Sequence, residues 1–543
     1  MKKFLFFSAI FALILFEPHI LGGQTYSRRP IVQSSSKGSD LNTQVNKLKQ
    51  VLYIISNGYL DTLNLEKISE SAIEKMVSEL DPHSSYIPQK DVQQMTEPLV
   101  GSFEGIGIEY ALISDTLSIQ SVVAGGPSEK MGLRAGDKII KVDGEEISGK
   151  ELTTDKVIKY LRGPKGSKVR IGYLRRGIGE NEVVITRDRI PINTVDCSYE
   201  VKNGILYLRI SRFGAETFDE FMNAIASYTN NQFENDKKFK GLILDLRSNG
   251  GGYLTTAQRI ANQFLSKGNL LLYMEGRAVN RVNDYADGSG LLQNIPLAIL
   301  IDEASASASE IVSGAVQDWD RGVIIGHRSF GKGLVQQEYS LLDGSRLRVT
   351  IARYHTPSGR VIQTPYSVGN SDLYRQNYVD RVISERFDKD SIKVDENLKF
   401  KTLKLGRTVY GGGGIIPDIF IPTDTSYYSK SYLQSVNSGK FVEFVQSYSD
   451  SHRDTIKKNY SSYDEFLKRF SVTEEFFNLY LKDSENQGIK FTQDEIDKSG
   501  KEIKKLLKGL IIRNIYGLDY YIRYSNLTDK HISKAIESLE KYN

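Results

Sequence analysis

Between residues 190 and 366 the chain alternates short, almost wholly apolar runs with helical stretches. The runs are GILYLRIS at 204 to 211, GLILDLR at 241 to 247 and PLAILI at 296 to 301. A strand with one wet face shows polar residues at every second position, and these runs do not. They read as strands buried on both faces, alternating with helices in a layered α/β domain. Such a domain leaves much of a 543-residue chain over. At about 150 residues per domain the length predicts three or four domains.

The rest of the chain divides by composition. Residues 24 to 42 are Ser-rich and polar and read as a linker. From 43 to 80, apolar residues recur at three- and four-residue steps: Val45, Leu48, Leu52 and Ile55, then Ile68, Ala72, Ile73, Met76 and Leu80. That spacing predicts an N-terminal helical region over 43–99, its helices stopped at Asp81-Pro82. Short strands and Gly turns fill 100–188, and the α/β region runs from 189 to 424. Within the latter, 367–404 is polar and reads as an insertion with a helix near 373 to 386, followed by a strand pair around Gly411 to Pro422. The tail, 425–543, carries capping boxes at Ser462/Glu465 and Thr492/Glu495 and an apolar face at Ile503, Leu506, Leu507 and Leu510, which predicts a helical extension.

Lys2 and Lys3, the apolar run Phe4 to Phe16, and Gly22-Gly23 make a secretory leader over residues 1–23. The run is shorter than the ~20 residues of a spanning helix. The chain is therefore expected in the periplasm or cell envelope of a bacterial cell, and at the membrane only if the leader stays uncleaved. Lys and Arg total 71 against 67 Asp and Glu, a net charge of +4, which predicts no nucleic-acid partner. One cysteine, Cys197, and six scattered histidines offer no metal-ligand cluster, so no metal and no cofactor is expected.

Within 100–188, Gly105 and Gly107 flank Ile106 just ahead of a strand. Glycines there let backbone N–H groups converge on a peptide's terminal carboxylate, while the strand edge accepts the peptide as an added strand. Downstream, GPSEKMGLRAGDKIIKVDG at 126 to 144 gives a helix, a Gly turn, a strand and a hairpin turn in order. This region resembles a PDZ domain. The resemblance makes Gly105, Ile106, Gly107 and Ile108 the peptide-binding residues and the helix around Val157, Ile158 and Leu161 the other wall of the groove. It implies protein partners with apolar C-terminal tails.

After the buried run Leu297 to Ile301 comes DEASASASEIVSGAVQD, with Ala308, Ile311, Val312 and Ala315 on one helical face. Ser307 then sits at a helix N-terminus, where unpaired N–H groups and the helix dipole favour a developing oxyanion. Ser is also simply a good N-cap, and these considerations do not separate Ser305, Ser307 and Ser309. A nucleophilic serine needs a base. Lys332, between Gly331 and Gly333, offers one if burial or a neighbouring cation lowers its pKa.

Taken together, SASASE at 305 to 310, QD at 317 to 318, FGKG.VQQ at 330 to 337, DLRSNGGG at 245 to 252, TPSGR.IQ at 356 to 363 and LDPHSSY at 80 to 86 resemble the tail-specific, or carboxyl-terminal processing, serine peptidases. The resemblance spans about residues 43 to 422. It implies an α/β multidomain chain: N-terminal helices, a PDZ-like module, a crotonase-like peptidase core and, outside the family's common part, the insertion and the helical tail. It assigns Ser307 as nucleophile, Lys332 as general base and Gln336 as the residue orienting the lysine. It also assigns the N–H groups of Ala308 and Gly251 as the oxyanion hole. Asp318 matches a position implicated in some members and reads as structural. The family's Asn-Pro-Gly-Gly turn is here Asn249-Gly250-Gly251-Gly252. On a straight strand Lys332 and Gln336 would lie ~13 Å apart, so their contact requires a bend, placed at Gly333.

The expectation is an exported Ser–Lys endopeptidase whose module's occupancy gates the site, compatible with a homo-oligomer. The alternatives are a catalytically silent PDZ-bearing scaffold and a Ser–His–Asp protease using His327 or His355.

Overall fold

The computed structural model describes residues 40–113, 116–149, 152–234 and 238–541. The leader and nearly all of the linker lie outside them. The chain folds into two compact units, and both are discontinuous in sequence. One gathers residues 97–245 and 421–541; the other gathers 40–96 and 246–420.

In the first unit, five antiparallel strands form the module's main sheet in the order Ile108–Ile113, Thr116–Val122, Lys138–Val142, Lys168–Arg175 and Gly179–Thr186. Its core is the apolar cluster of Ile106, Leu117, Ile119, Ile139, Val157, Leu161, Val169 and Ile171. The same unit contains the strands Val195–Lys202, Ile205–Ile210 and Gly241–Asp245, the last two pairing in parallel. All five residues of Gly241–Asp245 are buried, as a run without alternation predicts. The tail is helical from Lys430 to Glu540. Its longest helix, Gln493–Tyr516, opens on the Thr492/Glu495 capping box and buries Ile503, Leu507 and Leu510 against Phe466, Phe477 and Tyr480.

In the second unit, helices Leu41–Gly58 and Leu65–Ser78 lead to a short strand, Ser85–Ile87, which pairs antiparallel with Arg346–His355. That long strand also pairs with Leu334–Ser340 and Leu270–Glu275. The buried run Leu297–Ile301 pairs in parallel with Val323–Gly326, which pairs in parallel with Ile419–Phe420. The insertion carries a helix at Ser371–Glu385, capped by Asn370. Of the strand pair expected around 411 to 422, Ile419–Phe420 is a strand, and the local strand pair lies just ahead of the range. Lys399–Lys401 pairs with Thr408–Tyr410, and Gly411–Gly414 form no strand because Gly412 and Gly414 take left-handed φ of 75° and 86°. No helix among the described residues is long and apolar enough to cross a membrane.

Candidate active site

The buried strand Leu297–Ile301 delivers the chain into a tight turn at 302–306, from which the helix Ala308–Asp318 starts. All eleven residues of that helix are buried. The turn is stitched by the Asp302 carboxylate, which accepts from the N–H groups of Ala304 and Ser305. Three serines follow each other at alternate positions, and hydrogen bonding separates them. Ser305 Oγ donates to Leu246 O at 2.8 Å and Ser309 Oγ to Asn249 O at 2.9 Å. Ser307 Oγ is buried and has no hydrogen-bond partner among the described residues. Ser307 also holds φ 61° and ψ −112°, a conformation that costs a residue with a β-carbon about 1–3 kcal/mol. The residue sits at the N-cap of the helix, at the positive end of its dipole.

Lys332 is 1% exposed. Burial lowers its pKa from the ordinary 10.5 to about 7, and the Arg348 guanidinium pushes the same way; Asp81 and Glu310 oppose. Its Nζ donates to Gln336 Oε1 at 2.8 Å, and Gln336 Nε2 donates to His83 O at 2.6 Å. The His83 carbonyl therefore fixes which end of the amide faces the lysine. Lys332 and Gly333 lie ahead of the strand Leu334–Ser340, whose register against Arg346–His355 shifts between Val335 and Gln336, with Ile351 of the partner strand as the extra, bulged residue. Gly333 also allows a close approach, since a β-carbon there would sit 2.9 Å from Gln363 N.

One buried carboxylate ties the two segments together. Glu310 Oε2 accepts from Ser307 N at 2.7 Å and from Lys332 N at 2.9 Å. Glu310 Oε1 accepts from Ser329 Oγ at 2.5 Å and Gly331 N at 2.8 Å. Ser307 and Lys332 thus share a single acceptor oxygen. Burial raises the Glu310 carboxyl above its ordinary value even against these four donors. On a further side, the Tyr354 hydroxyl lies 2.8 Å from Lys332 O and 3.2 Å from Ser307 O.

Gly251, at φ 102°, packs directly on the serine: a β-carbon there would stand 2.8 Å from Ser307 Cβ and 3.1 Å from Ala308 N. Its own N–H donates to Asn249 Oδ1 at 2.9 Å. Ala308 opens the helix, where a backbone N–H has no carbonyl of its own helix to meet. Asp318, at the other end, forms a buried ion pair with Arg360 at 2.7 Å and accepts from Ser358 N.

The two histidines of the alternative triad are engaged elsewhere. His327 lies 3.3 Å from Glu303 and tilts against Phe420; His355 stacks on Tyr273 and lies 3.1 Å from Gly359 O. The histidine beside Lys332 is His83, whose pKa burial and the lysine lower to about 3, so its ring is neutral. Asp81 positions this segment, accepting from His83 N, Ser84 N and Ser84 Oγ. Glu310, Asp81 and His83 lie inside the runs SASASE and LDPHSSY, yet their roles were not legible there. Tyr354 carried no signal at all.

In the other unit, Gly105 ends the strand Ser102–Gly105, and Gly107 turns at φ 75°. Ile106 O accepts from both N and Oγ of Ser128, which pins the loop. The strand that begins at Ile108 is terminal in its sheet. Ile108, Tyr110 and Leu112 pack on the core that includes Val157 and Leu161.

Residues 204–368 match peptidase family S41, 118–175 a PDZ domain, 16–91 the activating protease CtpB N-terminal domain, and 432–517 a family of unknown function. The carboxy-terminal-processing protease of Bartonella bacilliformis is 36% identical over 337 residues, covering 61% of this chain and 76% of its own. The chain belongs to the carboxy-terminal-processing serine proteases. A second member, the probable CtpA-like serine protease of Staphylococcus aureus strain MRSA252, is 32% identical over 370 residues, 68% of this chain and 72% of its own. The solved photosystem II D1 C-terminal processing protease has 27% sequence identity and a TM-score of 0.32, covering 58% of this chain and 89% of that one. As a member of this family the chain is a serine peptidase with an α/β multidomain architecture: N-terminal helices, a PDZ domain, a peptidase core and a helical tail.

Proposed function

We propose that this serine endopeptidase captures proteins by their apolar C-terminal tails and cuts them with Ser307 as nucleophile and Lys332 as base. The observation that carries the reading is that one carboxylate oxygen, Glu310 Oε2, holds the backbone N–H groups of both Ser307 and Lys332, the serine hydroxyl being without a partner among the described residues and the buried amine lowered to a pKa of about 7. A neutral Lys332 donates one N–H to Gln336 Oε1 and keeps its lone pair for the Ser307 proton. The Ser307 oxygen then bonds to the scissile carbonyl carbon, and the carbonyl π electrons move to oxygen. The Lys332 ammonium returns the proton to the leaving amine as the C–N bond breaks. A water, deprotonated by the same lysine, next cleaves the acyl ester and restores Ser307. Ala308 N–H and Gly251 N–H are the donors for the oxyanion. For Gly251 that requires release from Asn249 Oδ1.

Tail capture falls to the strand edge from Ile108 to Ile113 and the loop of Gly105, Ile106 and Gly107. Residues 1–23 direct export, and tail occupancy gates cleavage. Wild type, Ser307→Ala and Lys332→Ala are each incubated with an unfolded protein ending in apolar residues, and with the same protein amidated at its C-terminus. Only the wild type should cleave, and the free carboxylate should be preferred. Equal cleavage by Ser307→Ala refutes the mechanism. Equal rates on both tails refute carboxylate capture.

A further inference from the structure

The insertion at 367–404 grips the catalytic loop. Its helix Ser371–Glu385 lies against residues 328 to 331, immediately before Lys332. Arg381 Nη2 donates to Ser329 O and to Phe330 O, each at 3.0 Å, and Arg381 Nη1 donates to Gly413 O at 3.1 Å. A peptide group is planar, so its C=O and N–H point in opposite directions. The same two peptides are held at their other ends by the core. Phe330 N–H donates to Ser305 O at 2.9 Å, and Gly331 N–H donates to Glu310 Oε1 at 2.8 Å. Each plane is thus fixed from both sides, with one guanidinium supplying the outer hold on both. Rotation of either plane would carry the Lys332 N–H off Glu310 Oε2 and swing the lysine stem.

The aromatic residues of the helix add to the grip. Tyr378 packs on Phe330 with ring centroids 4.8 Å apart, and its hydroxyl donates to Glu303 O in the turn that leads to Ser307. Tyr374 meets the His83 ring edge-on at 5.4 Å, and His83 supplies the carbonyl that holds Gln336. One helix outside the family's common core therefore touches all three segments that carry or support Ser307, Lys332 and Gln336.

We infer that Arg381 is a positioning residue for Lys332, and that the insertion exists in this chain to brace the Ser329–Lys332 loop. The inference rests on the Ser–Lys reading above. The full-length chain is assayed for kcat and KM on a tailed unfolded protein as wild type, Ser307→Ala, Arg381→Ala, Arg381→Lys and Arg375→Ala. Arg375 lies on the same helix with its side chain 70% exposed and serves as the control.

Displacing a reacting group by about 1 Å costs about 100-fold in rate. Arg381→Ala should therefore lower kcat about 10- to 100-fold with KM held within about twofold. Arg381→Lys should fall between, because an ammonium cannot reproduce the planar fork that spans several carbonyls. Methylguanidinium added to Arg381→Ala should recover part of the loss, and Arg375→Ala should match wild type. Wild-type kcat in Arg381→Ala, a loss confined to KM, or no recovery with methylguanidinium overturns the inference. If Arg381→Ala does not fold, Arg381→Lys decides, and wild-type kcat there overturns it. Ser307→Ala cleaving like wild type would instead sink the Ser–Lys reading itself, a separate outcome.

Discussion

Replacing Lys332 by Met should make the folded protein more stable at pH 6 and change it little at pH 9. Burial holds the amine at a pKa of about 7 in the folded chain against an ordinary 10.5. At about 1.4 kcal/mol per pH unit, keeping the ammonium buried costs about 5 kcal/mol. The sign follows from proton counting. Below pH 7 the lysine is charged in both states, and the whole cost is present. Between 7 and 10.5 the unfolded chain binds a proton that the folded chain does not, so stability rises with pH and the cost falls. At pH 9 about 2 kcal/mol remains. Met matches the length of the stem without the charge, but it leaves Gln336 Oε1 without its donor, which costs about 1–3 kcal/mol at any pH. The net gain should be about 2–4 kcal/mol at pH 6 and about zero at pH 9. Trp319, the only tryptophan in the sequence, follows the helix Ala308–Asp318 and donates to Leu270 O, so its fluorescence reports unfolding of the unit that holds the site. Urea titrations at the two pH values, with both proteins in a Ser307→Ala background to prevent self-cleavage, give the difference. The same stability gap at pH 6 and pH 9 would refute the desolvation of Lys332.

Three further outcomes follow from the same site. With Lys332 as the proposed base, activity requires the neutral amine, so kcat/KM should rise with pH through about 7 and level off above it. Gln336→Glu should move that rise to higher pH, because a carboxylate beside Nζ favours the ammonium; an unmoved profile counts against the Lys332–Gln336 contact as the functional one. Gly251→Ala should lower kcat at least about 100-fold, since φ 102° disfavours a β-carbon and the methyl would press on Ser307 Cβ at 2.8 Å. Wild-type turnover in Gly251→Ala would show that the turn yields without disturbing the serine.

Local order was legible in the residues. The almost wholly apolar runs at 241 to 247 and 296 to 301 give fully buried strands, Gly241–Asp245 and Leu297–Ile301. The Thr492/Glu495 box opens a helix where expected, because a capping box is complete within four residues. The segments carrying Ser307 and Lys332 were marked by their resemblance to the family's motifs and not by local physics, which left Ser305, Ser307 and Ser309 unseparated.

What the tertiary structure decided is which groups hold these two and in what state. Ser305, Ser307 and Ser309 are alike in sequence, and the carbonyls of Leu246 and Asn249, some 60 residues away, accept from two of the three hydroxyls, that of Ser305 also meeting Asp302 within its own turn. The Lys332 pKa is a property of burial and of Arg348, neither of which a pair of flanking glycines encodes. The Gln336 amide takes its orientation from His83, 253 residues earlier, and the insertion reaches the loop through Arg381, about 50 residues later. Residue type and neighbouring spacing set what can form locally. Desolvation and hydrogen bonds between distant segments exist only once the chain has closed on itself, and they set the states of the serine and the lysine on which the proposed mechanism rests.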